Sequence, residues 1–139
     1  MKIVGELMTR ELVTLNETED LSRAEALLQQ RRIRHQPVVR SGKLVGLVTH
    51  RDLLRVCAAG SAARAARAGD VMTRDVQTVH PATPLRDAVA RMLGAKYGCL
   101  PVTLEDGTLV GLVTEADLVR YAGALIAELD RRSEARSYE

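Results

Sequence analysis

The sequence predicts an α+β fold made of two β-α-β-β-α halves packed about a pseudo-twofold axis. Three observations carry that prediction. The stretch LVGLVTHRDLLR (44–55) returns as LVGLVTEADLVR (109–120). Met8-Thr9-Arg10 returns as Met72-Thr73-Arg74, and the same spacing of 64 residues pairs Thr14 with Thr78, Leu21 with Leu85 and Pro37 with Pro101. The spacing lengthens by one residue only after the turns Ser41-Gly42 and Glu105-Asp106-Gly107, where a hairpin absorbs an insertion. A unit that cannot bury its apolar face alone is completed by its twin, so the two copies make one domain.

The elements follow in order. LVTL (12–15) reads as a short strand, and Leu21 to Arg31 sets Leu21, Ala24, Leu27 and Leu28 at helical spacing. QPVVR (36–40) and KLVGLVT (43–49) are β-branched runs around Ser41-Gly42, an antiparallel hairpin. Helical spacing resumes from His50 to Ala59 through Leu53, Leu54 and Cys57. The second copy repeats this with VQTV (76–79), a helix over Pro84 to Leu93 opened by proline, CLPVTL (99–104), TLVGLVT (108–114) and a helix from Glu115 onward.

The expected boundaries are a first repeat at 1–59, an Ala/Arg-rich linker at 60–70, a second repeat at 71–122 and a C-terminal helix with a charged tail at 123–139. The linker composition reads as a helix, a mobile connector or both. Leu125, Ile126 and Leu129 offer an apolar patch to a partner chain, and everything after Arg131 reads as a fraying end.

Composition narrows the function. Hydrophobic residues make up 46%, with no Trp or Phe and three Tyr, so Val, Leu, Ile, Ala and Met build the core and aromatic stacking is scarce. A net charge of +2 with both signs interspersed disfavours nucleic-acid and membrane partners. MKIVGELMTRELV holds no apolar run of signal length, and no segment reaches membrane-spanning length, so a soluble cytoplasmic protein is expected. Cys57 and Cys99 lack metal spacing, as do His35, His50 and His80, and no Ser, Cys or His forms a nucleophile-base set. No metal site and no catalytic residue is expected. Arg31, Arg32 and Arg34 are expected to complement the end of the first helix.

One repeated feature carries chemistry. Thr49 ends a strand and Asp52 follows three residues later, the spacing of a helix capping box, and Thr114 with Asp117 repeats it. Capping alone accounts for such residues, at about 1 kcal/mol per helix. Yet Gly46 and Gly111 interrupt β-branched runs, where glycine marks a bulge or a close approach to the backbone. A strand end, free helix amides, a hydroxyl and a carboxylate together suit a nucleotide: amides and hydroxyl for phosphate, carboxylate for two ribose hydroxyls.

MTRELVT and MTRDVQT, IRHQPVV and YGCLPVT, and Gly-Leu-Val-Thr-x-x-Asp twice resemble a tandem pair of CBS domains, a Bateman module, from Gly5 to about Tyr121. The resemblance implies a disk-like pair whose three-stranded sheets face each other and leave two clefts. It implies AMP, ADP or ATP as ligand, with S-adenosylmethionine or NAD in some members, and no required cofactor. It further implies a homodimer and a regulatory module acting on an effector in trans.

Carried over residue by residue, Thr49 and Asp52 hold ribose and phosphate in one cleft, Thr114 and Asp117 in the other. Thr14 and Thr78, with His35-Gln36 and Cys99-Leu100 before the prolines, border the adenine. His50 and Arg51 flank the first motif but Glu115 and Ala116 the second, so the Thr49 cleft is expected to tolerate more phosphate charge. Arg55 and Arg120 stand one turn beyond each Asp, on the same side. A ligand-free dimerising scaffold is the alternative reading. Nucleic-acid binding through the linker arginines is a third, disfavoured one.

Overall fold

β-branched runs fold as hairpins and the helical spacings fold as helices, in the same order twice. The computed structural model describes residues 1–31, 34–60, 65–94 and 98–138. After a 3-10 turn at Val4–Glu6, the first half runs β1 (Leu15–Asn16), α1 (Leu21–Arg31), β2 (His35–Arg40), β3 (Lys43–Thr49) and α2 (His50–Ala58). A short α3 (Ala68–Val71) leads into α4 (Leu85–Gly94), β4 (Cys99–Thr103), β5 (Leu109–Thr114) and α5 (Glu115–Ser137). The side chains of Leu27, Leu28 and Arg31, Arg32 as a whole, and linker residues 61–64 with Arg64 lie outside the described residues.

In the first sheet β1 runs parallel to β2, and β2 antiparallel to β3. β4 and β5 form the matching hairpin, and both hairpins slip register at the same place, Val38/Val39 and Val102/Thr103. The second sheet departs from the expected three strands. Its first strand shrinks to one parallel bridge, Val79 to Val102, held by Val79 N–H on Pro101 O at 3.0 Å and Thr103 N–H on Val79 O at 2.9 Å. The next rung of a parallel ladder would need the N–H of residue 81. Pro81 stands there, where the first repeat has Glu17, and proline has no N–H to give.

Each half buries its own aliphatic cluster: Leu15, Leu21, Ala24, Val38, Val48 and Leu53 in the first, Val79, Ala88, Met92, Leu100, Val102 and Val113 in the second. Each cluster is completed by the leading segment of the other half. Met72 closes the first core and Met8 the second. The exchange is fixed by backbone pairs: Thr73 N–H donates to Leu47 O at 2.7 Å and Leu47 N–H to Thr73 O at 3.0 Å. Thr9 N–H donates to Leu112 O at 2.8 Å and Leu112 N–H to Thr9 O at 3.0 Å.

This exchange explains the two strand glycines. A Cβ on Gly46 would meet Met72 Sδ at 2.5 Å and Thr73 O at 2.8 Å; one on Gly111 would meet Met8 Sδ at 2.7 Å and Thr9 O at 3.0 Å. What approaches the backbone is the protein's own crossing segment, not a ligand. The hairpin ends are joined as well, through Leu44 N–H on Gly107 O and Leu109 N–H on Gly42 O, both 3.1 Å.

Candidate functional site

The site begins where β3 and β5 end. Thr49 and Thr114 keep extended backbone while the next residue enters a helix, which turns each hydroxyl toward the first free amides. Thr49 Oγ1 accepts from Asp52 N–H at 3.2 Å, and Asp52 Oδ2 accepts from Thr49 N–H at 2.9 Å. Thr114 and Asp117 repeat both bonds at the same distances. Capping boxes therefore form at both motifs. Arg55 Nη2 reaches Asp52 Oδ1 at 2.9 Å and Arg120 Nη2 reaches Asp117 Oδ1 at 2.6 Å. Both carboxylates are buried and both arginines lie largely in water, so each pair is screened from one side.

A further partner comes from the opposite repeat. Thr73 Oγ1 donates to Asp52 Oδ2 at 3.2 Å; Thr9 Oγ1 donates to Asp117 Oδ1 at 2.9 Å and Oδ2 at 3.1 Å. In each Met-Thr-Arg triplet the Met fills the other core and the Thr holds the other repeat's Asp. The Arg closes its own turn, Arg10 Nη2 on Gly5 O at 3.0 Å and Arg74 Nη2 on Gly69 O at 2.8 Å.

Two clefts open beside these motifs. One, of ≈ 590 Å³, has Thr49, His50, Arg51, Asp52, Arg55 and Thr73 in its wall. The other, of ≈ 450 Å³, has Thr9, Glu11, Leu12, Thr114, Glu115 and Ala116. Arg34, His35, Gly98 and Glu115 belong to both walls, so the clefts meet. The first gathers Arg34, Arg51 and Arg55 against Asp52 and Glu115; the second sets Glu11 and Glu115 against Arg34.

Thr49, Arg51, Asp52 and His35 thus come together in the first cleft, and Thr114 lies in the second with His35. Among the described residues Asp117 is not part of the second cleft's wall; Thr9 stands there and bonds to it. Thr14 and Thr78 are half-buried and line neither cleft. Gln36, Cys99 and Leu100 are buried in the core rather than at a cleft rim. Gln36 Nε2 donates to Ala24 O at 3.0 Å, and its Oε1 has no partner among the described residues. Burial, with a smaller push from the Glu115 carboxylate, raises the Cys99 thiol to about 12. Arg34, expected chiefly to complement the end of α1 and as a minority reading to meet phosphate, lines both clefts. Thr9 and Thr73 were not anticipated as site residues; the repeated triplet was visible, but Thr9 lies 108 residues from the aspartate it serves.

Among the described residues no helix is long and apolar enough to cross a membrane. The family profile for the CBS domain matches residues 4–59 and 68–124. The homoserine O-acetyltransferase of Methanococcoides burtonii is 31% identical over 86% of this chain, which spans only 24% of that protein. The chloroplastic CBS domain-containing protein CBSX1 of Arabidopsis thaliana is 31% identical, covering 94% of this chain and 68% of its own length. Among solved structures, the acetoin utilization protein AcuB of Vibrio cholerae superposes with a TM-score of 0.84 at 36% identity, covering 94% of this chain and 97% of that one. CBSX2 in complex with AMP gives 0.80 at 31% identity, over 88% and 97%. The CBS pair of protein MJ0100 with 5'-methylthioadenosine and S-adenosylmethionine gives 0.78 at 27%, over 88% and 97%.

Proposed function

The chain belongs to the CBS-domain family, with two copies in tandem, and from that premise we propose that it is a non-catalytic regulatory module whose two clefts bind adenosine-containing ligands. The observation that carries the reading is the ≈ 590 Å³ space beside Thr49 and Asp52, open and walled by Arg34, Arg51 and Arg55. That volume suits a nucleotide. Asp52 supplies acceptors for ribose hydroxyls, the N-terminal amides of α2 and the arginines an anionic tail. Complexes of two CBS-pair proteins, one with AMP and one with 5'-methylthioadenosine and S-adenosylmethionine, support the ligand class.

The charge contrast assigns the tails. AMP, ADP or ATP enters the Thr49 cleft, while the Thr114 cleft, bordered by Glu11 and Glu115, takes an adenosyl group with an uncharged or cationic tail such as S-adenosylmethionine. Ligand between the repeats changes their packing, and an effector in trans reads the change. The module works as a homodimer, paired through the apolar stripe of α5.

Thermal unfolding against AMP, ADP, ATP, S-adenosylmethionine and NAD tests this reading. A ligand at 100 times its Kd adds about 2.7 kcal/mol of stability. Arg51→Ala should remove the preference for ATP over AMP. Failure of every member of the panel to raise the Tm overturns the reading. The complete capping boxes favour one alternative, a ligand-free dimerising scaffold, which predicts that outcome.

A further inference from the structure

The wall that the two clefts share is charged differently by the two repeats. Arg34 and Gly98 hold equivalent places, 64 residues apart, just ahead of β2 and β4, and His50 and Glu115 open the equivalent helices α2 and α5. The backbone joins each pair in the same way: His50 N–H donates to Arg34 O at 3.0 Å, and Glu115 N–H to Gly98 O at 3.1 Å. The side chains do not repeat. A Cβ on Gly98 would meet Glu115 Oε1 at 2.7 Å and Cδ at 2.8 Å, so the carboxylate lies against bare backbone, whose φ of +36° also favours glycine. At the matching place in the first repeat stands an arginine.

Arg34 and Glu115 thus bring one positive and one negative charge to a wall that both clefts use. Both are exposed, and among the described residues neither is held in an ion pair, whereas Arg55 and Arg120 are tied to the two aspartates. Opposite charges on one wall mask each other. Seen from the Thr49 cleft, Glu115 cancels part of Arg34; seen from the Thr114 cleft, Arg34 cancels part of Glu115.

We propose that Arg34 and Glu115 couple the clefts: an anionic tail in the Thr49 cleft engages Arg34, leaves Glu115 unmasked, and so strengthens the binding of a cationic tail in the Thr114 cleft. This rests on the adenosine-ligand reading above and on its assignment of tails. Coupling is reciprocal, each ligand raising the other's affinity by one factor. Two anionic tails instead compete for Arg34 and weaken each other. The module thereby responds most strongly to a pair of ligands, one anionic and one cationic in its tail.

The test is isothermal titration of S-adenosylmethionine into the full chain, without and with saturating ATP, in magnesium-free buffer where the triphosphate keeps its full charge. ATP should tighten S-adenosylmethionine about fivefold, the low end of the usual range because both side chains are exposed, and S-adenosylmethionine should tighten ATP by the same factor. Raising the salt from about 0.1 M to about 1 M, which shortens the Debye length from about 10 Å to about 3 Å, should abolish the effect. With ATP again at saturation, Arg34→Gln and Glu115→Gln should each remove it, while Arg34→Lys, which keeps the charge, should retain it. Exposed positions such as these tolerate all three changes. Affinities that ignore the other ligand, or an effect that survives both glutamine variants, overturn the coupling alone. Displacement of S-adenosylmethionine by ATP from a common cleft overturns the coupling and the assignment of tails. Absence of binding by either ligand overturns the coupling and the adenosine reading together.

Discussion

Gln36 and Leu100 hold equivalent places in β2 and β4, and both are wholly buried, yet one carries an amide. Its Nε2 finds the Ala24 carbonyl while its buried Oε1 has no protein partner among the described residues, which costs about as much as the one bond returns. Gln36→Leu should therefore raise stability by about 1 kcal/mol, measured by calorimetry, because the second repeat already packs leucine there. Cys99 makes a second residue-scale prediction. Its thiol is held near 12 against an ordinary 9.0, so above pH 9 the unfolded chain releases a proton that the native chain keeps. Stability should therefore fall as the pH rises between those values, and the fall should be shallower in Cys99→Ala. Neither residue's burial was legible beforehand: a polar or thiol side chain before a strand proline reads equally well as rim or core, and strand alternation does not say which face is inside.

At the scale of elements, local signals were readable and crossings were not. Both hairpins and the starts of α2 and α5 were fixed by β-branched runs, turn residues and the Thr-x-x-Asp spacing, all within a dozen residues. The third strand expected in the second sheet shrinks to a single bridge, because a donor is absent at Pro81, which periodicity does not register. Gly46 and Gly111 announced a close approach, but not that Met72 and Met8 make it. Both glycines should resist alanine, Gly46 more than Gly111, since its added Cβ would lie 2.8 Å from a backbone oxygen rather than 3.0 Å. Gly46→Ala should cost about 2–3 kcal/mol, the usual penalty of overpacking, and Gly111→Ala less, in denaturant unfolding. Thr49→Ala should cost about 1 kcal/mol for the lost cap.

For the whole molecule, the pseudo-twofold pairing of halves was legible from the repeat, as was the charge contrast between motifs. The sharing of Arg34 and Glu115 by both clefts was not, because it depends on where two distant helix starts meet. α5 runs 23 residues, about 35 Å, and from Ala122 onward almost all of it is exposed, Leu125, Ile126 and Leu129 included. A projecting helix with an apolar stripe gains from a second copy. If the proposed pairing through α5 holds, Leu125→Lys with Leu129→Lys should give a monomer in light scattering where the parent chain gives a dimer, and leave ligand binding at the clefts unchanged. The exchanged leading segments also set an order of events during synthesis. The first repeat emerges with Gly46 bare and residues 8–9 idle; their seat at Leu112 is translated a hundred residues later. Closure of so long a loop is slow, so the first core, which Met72 closes, is sealed early, while the second waits for residues 8–9 to find Leu112.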